Sequence, residues 1–151
     1  MPRRATLGML LLLNLALMAT SQARWRYDAL LYDLPEGWAR EFRGHELVLT
    51  STDKTVTVAI ARSRPVDKDL DAIAAGIQAE AASGPGYHAD GSPFRNPHVQ
   101  SGGEILSFSH SYSNPAHPEQ QRIEAVTLFA AGGRCAAITV RAATRNDIER
   151  N

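Results

Sequence analysis

The chain has 151 residues, with 16 lysines and arginines against 16 aspartates and glutamates and a formal net charge of 0. That balance, with its arginines scattered singly, excludes the basic footprint that binds nucleic acid. A lone cysteine, Cys135, excludes an internal disulfide, and a chain of this length buries a core without one.

Arg3 and Arg4 precede an apolar run over residues 5–19, interrupted by Thr6, Gly8 and Asn14, and then Ser21-Gln22-Ala23. A charged start, an apolar middle and a small-residue exit together predict a secretory signal peptide cut after Ala23. The run is too short and too interrupted to span a bilayer. The expectation is a periplasmic or secreted protein with no stable membrane anchor: a signal peptide, 1–23, then a single α+β domain, 24–151. Without Arg3 and Arg4 the domain carries 14 basic against 16 acidic residues, a formal charge of −2.

Residues 27–32 read as a strand with aromatic ends, closed by Asp33, Pro35 and Gly37. Residues 46–52 and 55–64 read as two more strands, paired as a hairpin through the turn at 51–54. Asp67 or Asp69 then opens a helix over 70–81, its side chain near the exposed N–H groups of the first turn. Leu70, Ile73, Ile77 and Ala81 recur at three and four, an apolar stripe to lie on a sheet, with Ala74 on the thinner remaining sides. Gly84-Pro85 stops the helix, the glycine being expected in the left-handed conformation.

Residues 84–103 have no period and read as a long loop, with a short strand around Phe94 or a functional excursion. Residues 104–113 form a strand with Leu106, Phe108 and Tyr112 on one face and Ile105, Ser107, Ser109 and Ser111 on the other. Residues 122–131 and 134–143 flank Gly132-Gly133, the signature of a hairpin with a primed turn. Cys135, in the second of these strands, is expected to be buried. Thr144 to Asp147 offer a cap, but so few residues follow that either a frayed stub or an element stopping short of its full length is expected.

The early strand leading into Leu34-Pro35-Glu36-Gly37-Trp38, the two strands after it, the helix with Asp69-Leu70-Asp71-Ala72-Ile73 and the antiparallel run beyond resemble the PsbP-like fold. That group includes a photosystem extrinsic protein and many small exported bacterial domains. The resemblance implies an antiparallel β-sheet packed by one main α-helix, and a non-enzymatic assembly, adaptor or stabilising role. It also implies a longer C-terminal helix than this sequence provides. None of the family's metal- or partner-contacting residues has a matching position here, so none is carried over.

His88, Asp90, His98, His110 and His117 are the candidates for a metal site, since zinc takes imidazole and carboxylate ligands. Their spacing matches no compact ligand motif. No serine sits in a nucleophile elbow, and Asp67, Asp69 and Asp71 lack the glycine and distal glutamate of a calcium loop. No cofactor is implied. Trp25, Tyr27, Tyr32 and Trp38 gather near the start of the domain, either to anchor the first strand or to form a contact surface, tryptophan and tyrosine being frequent interface anchors. The leading expectation is a periplasmic non-catalytic binding or adaptor protein, with a protein partner or self-association. The alternatives are a small exported hydrolase or metal-dependent enzyme using the histidines, and a periplasmic inhibitor or immunity-type protein.

Overall fold

Alternating segments become antiparallel strands in the structure, a computed structural model that describes residues 24–28, 30–96 and 103–151. The predicted signal peptide, 1–23, and His98 lie outside the described residues. The chain divides into two compact units, Met1–Pro35 and Glu36–Asn151.

In the first unit the segment expected as one strand belongs to a hairpin of β1 (Arg24–Tyr27) and β2 (Leu30–Asp33). Asp28 helps reverse the chain, at φ 54°, a left-handed conformation that aspartate tolerates better than most residues. The register pairs Trp25 with Tyr32 and Tyr27 with Leu30. Directly paired residues share a face, so Trp25, Tyr27, Leu30 and Tyr32 all lie on one side of the hairpin.

Among the described residues, the second unit is a nine-stranded antiparallel sheet. Its strands are β3 (Ala39–Arg43), β4 (Glu46–Thr50), β5 (Val56–Ala61), β6 (Arg64–Pro65), β7 (Tyr87–Ala89), β8 (Phe94–Arg95), β9 (Glu104–Tyr112), β10 (Arg122–Ala131) and β11 (Arg134–Ala142). They run in the order β3-β4-β5-β11-β10-β9-β7, with β6 on β11 and β8 on β9. Among the described residues the helices are α1 (Leu70–Ala82) and α2 (Arg145–Arg150), with a 3-10 turn at Pro118–Gln120. The expected α+β class and hairpins are present.

Four local expectations change. The strand predicted over 55–64 splits, because the chain leaves β4 after Ala61 and pairs again with β11 at Arg64. The predicted loop at 84–103 contains two short strands, whose backbone groups pair with β9 and so avoid being left unsatisfied. Gly84 is not the left-handed residue; Gly86 is, at φ +73°, and a Cβ there would stand 2.1 Å from the Ser113 carbonyl oxygen. The C-terminal segment is a capped helix rather than a frayed stub. Thr144 and Asp147 form a reciprocal capping box, and Arg150 and Asn151 bond to Asp53 and Thr55 of the β4–β5 turn.

The core lies between α1 and the middle of the sheet, where Leu70 and Ala74 meet Leu106, Phe108, Val126, Leu128 and Cys135. Leu70 and Ala74 are 1% and 0% exposed, whereas Ile73 and Ile77 are half-buried. The apolar stripe is therefore seated on its Ala74 side. A methyl in place of a larger side chain lets the helix come close to the strands, and Ile73 is left at the flank.

Candidate functional site

The position of α1 creates the site. Asp69 caps its start by accepting a hydrogen bond from the Ala72 N–H at 2.7 Å. Arg95 ties the same end to β9 by pairing with Asp71 and Glu104. At the other end the Tyr112 hydroxyl donates to the Ala81 carbonyl at 3.3 Å. The helix is thus held over β9 and β10, and part of the sheet face over β11 and β5 lies open beside it.

A cleft of about 450 Å³ occupies that space. Its walls are Ile73 and Ile77, and its floor is Leu128 with the small side chains of Cys135 and Ala137. Cys135 is 6% exposed, and burial pushes its thiol above the usual range, against a weaker opposite pull from Arg64. Arg62 and Arg64 stand at the mouth with His45 and Glu46. Among the described residues, no carboxylate lies within ion-pairing distance of either guanidinium.

A second, more open cleft of about 440 Å³ continues toward the C-terminal end of α1, and Ile77 borders both. Its floor is a row across three strands, since Glu124 pairs in register with His110 on one side and Arg141 on the other. Glu124 stands 3.0 Å from Arg122, 3.3 Å from Arg141 and 3.4 Å from His110 Nε2. The imidazole is 1% exposed and packs among Tyr87, Phe108 and Tyr112. Neither of its nitrogens makes an aligned hydrogen bond among the described residues. Arg122 also lies over the Tyr112 ring, 4.1 Å from its centre.

The other histidines do not join it. His88 pairs with Ser111 on the sheet face opposite His110, while Asp90 bonds Ser109 and Ser111 at the end of β7. His117 lies beyond β9 and contacts Glu119 at 3.1 Å. Among the described residues, no group of three or more His, Cys, Asp or Glu comes together to hold a metal ion. Nor is any described helix long and apolar enough to cross a membrane. Of the aromatic candidates, Trp25, Tyr27 and Tyr32 share the hairpin face in the first unit, and Trp38 precedes β3 in the second.

Sequence reasoning missed the Glu124–Arg141 row and the two arginines at the first cleft. It read His110 with the loop histidines. Strand alternation was the available signal, because His110 falls in phase with Leu106, Phe108 and Tyr112.

An antiparallel sheet packed by one principal helix defines the architecture, and solved structures share that fold. One is a point mutant of the protein Mog1, at 11% identity, covering 85% of this chain and 82% of that one with a TM-score of 0.53. Another is the Ran-binding protein Mog1p of Saccharomyces cerevisiae, at 12% identity, covering 86% and 82% with a TM-score of 0.53. No protein-family model and no curated protein matches the sequence.

These neighbours correct the PsbP-like assignment: the α+β antiparallel architecture stands, and the solved fold it matches is that of Mog1. The Pro35-Glu36-Gly37-Trp38 segment that carried the earlier resemblance is a local turn with Gly37 at φ 79°, a feature that unrelated sheets also need. The periplasmic or secreted placement, with the exported-enzyme and periplasmic-inhibitor readings built on it, is set aside on the same match to a Ran-binding protein.

Proposed function

We propose that this chain is a protein-binding module whose contact site is the groove beside α1. The observation that carries the reading is the open sheet face over β11, where half-buried Ile73 and Ile77 border a cleft of about 450 Å³ next to the core. Concave, largely apolar sites with a few polar groups at the rim are the usual form of a binding site. The name of the neighbour Mog1p, a Ran-binding protein, supports a role in protein contact on this fold. The aromatic hairpin face of Trp25, Tyr27 and Tyr32 is a second contact area in this reading, supported by the exposure of Trp25 (37%). Trp38, in the second unit, is proposed separately as a contact residue from its residue type alone.

A photo-crosslinking side chain at Ile77 tests the groove in extract from cells that express the protein. The expected result is a discrete protein adduct that disappears when Ala137→Trp fills the cleft and leaves the melting temperature within a few degrees. Adducts indifferent to the filled cleft would remove the groove from the reading.

A further inference from the structure

We propose that the groove takes an extended peptide segment of the partner protein that carries an apolar side chain next to acidic ones, the apolar group entering the cleft over Cys135 and Ala137 and a carboxylate meeting Arg62 and Arg64. This inference rests on the protein-binding reading above and adds the chemistry of the ligand.

Charge supplies the first argument. Arg95, Arg122, Arg141 and Arg150 all have carboxylates within ion-pairing distance. Arg62 and Arg64 have none among the described residues, yet both line the cleft mouth. Arg64 pairs in register with Cys135, which places both on the sheet face that carries the groove. A guanidinium offers a planar fork of donors suited to a carboxylate. Glu46 and His45, also at the mouth, are the other titratable groups there, and one carboxylate leaves the two arginines in excess.

Shape supplies the second. The cleft is wide enough for a leucine- or phenylalanine-sized group, and its floor is lined by small side chains. Ile77 also borders the second cleft, so the two lie in sequence along α1, a layout suited to an extended ligand. From Ile73 to Ala81 the helix rises about 12 Å, the length of roughly four extended residues. At the far end Glu124 already occupies Arg122 and Arg141, so the unpaired positive charge lies at the Arg62–Arg64 end. The acidic part of the peptide is therefore assigned to that end.

The test uses the 15N-labelled full chain and an acetylated, amidated five-residue peptide with one leucine between two glutamates, beside a counterpart with glutamines. The expected result is saturable shifts of the Ile73, Ile77 and Ala137 amides with the acidic peptide. The glutamine counterpart, raised salt or Arg62→Glu with Arg64→Glu weakens binding at least fivefold. Both arginines are exposed, and a thermal melt confirms that the variant is folded; Arg62→Ala with Arg64→Ala repeats the comparison without added negative charge. Equal binding of both peptides overturns the acidic assignment while leaving the groove itself to the crosslinking result. Absence of shifts with either peptide, or shifts with octanoate alone, overturns the peptide proposal.

Discussion

Cys135 and Asp53 show how a residue's surroundings override its type. The thiol lies on β11 under the flank of α1, and burial pushes its pKa above the usual thiol range. Ellman's reagent is therefore expected to label the native protein far more slowly than the unfolded chain. Cys135→Ser is expected to cost roughly 1–3 kcal/mol in urea unfolding, because a hydroxyl loses more hydration than a thiol on burial, and the Ala136 carbonyl that accepts from the thiol at 3.6 Å offsets only part of that. Labelling at equal rates in the two states would refute the burial. Asp53, by contrast, is exposed, yet its carboxylate accepts from the Thr55 hydroxyl, the Thr55 N–H and the Ser51 hydroxyl. Those bonds, the Thr55 hydroxyl foremost, hold its pKa far below the usual carboxylate range. Because the folded pKa is lowered, its contribution is fully present above about pH 4, the unfolded value. It is lost only as the pH falls through the folded pKa. A carboxyl NMR titration should place the Asp53 midpoint well below that of an ordinary aspartate, and a midpoint near 4 would show that the turn does not hold it. His110 completes the contrast, an imidazole at a core position of β9 whose nearest charge is Glu124.

Among the elements, α1 separates what periodicity reveals from what packing selects. The spacing of Leu70, Ile73, Ile77 and Ala81 announces a helix with one apolar stripe. It does not say which edge of the stripe rests on the sheet. Ala74, a small residue that reads as neutral, is fully buried, and Ile73 is turned toward the groove. Leu70→Ala is therefore expected to cost about 2–5 kcal/mol. Ile73→Ala should cost clearly less, because its side chain is already partly in water. Equilibrium denaturation of the two variants decides the order, and an equal or larger loss at Ile73 would contradict the seating described. The hairpin of β10 and β11 is the opposite case. Gly132 and Gly133 have φ of 57° and 73°, as a primed two-residue turn requires, and the sequence alone was enough to locate it.

For the molecule as a whole, strand order sets where opening is hardest. Between Ile138 and Ala142, β11 is flanked by β10 and β5, and β10 is flanked by β11 and β9, whereas β3 has, among the described residues, a paired strand on one side only. Hydrogen exchange is expected to be slowest at Val126, Leu128, Ile138 and Val140, and much faster along β3. Comparable protection of β3 would point to a further neighbour on its edge. That edge bears Arg40, Glu41 and Arg43 beside Phe42, which is 61% exposed, and such charges discourage pairing between sheets.

Local chemistry was legible in the chain because it acts between near neighbours. Alternation gave the long strands, Asp69 and the three-and-four spacing gave α1, and paired glycines gave the last turn. The short strands β7 and β8 were hidden because their partner, the edge of β9, is supplied by residues later in the chain. The Glu124 row and the Arg62–Arg64 mouth were hidden for the same reason: register joins residues from separate strands, and no local period encodes that register. By itself, then, the sequence determined the long strands, α1, the last hairpin, the α+β class and the burial of Cys135. Only the tertiary structure decided which side of α1 met the sheet, and so where the groove lies, because that choice depends on how closely Ala74 lets two distant segments pack.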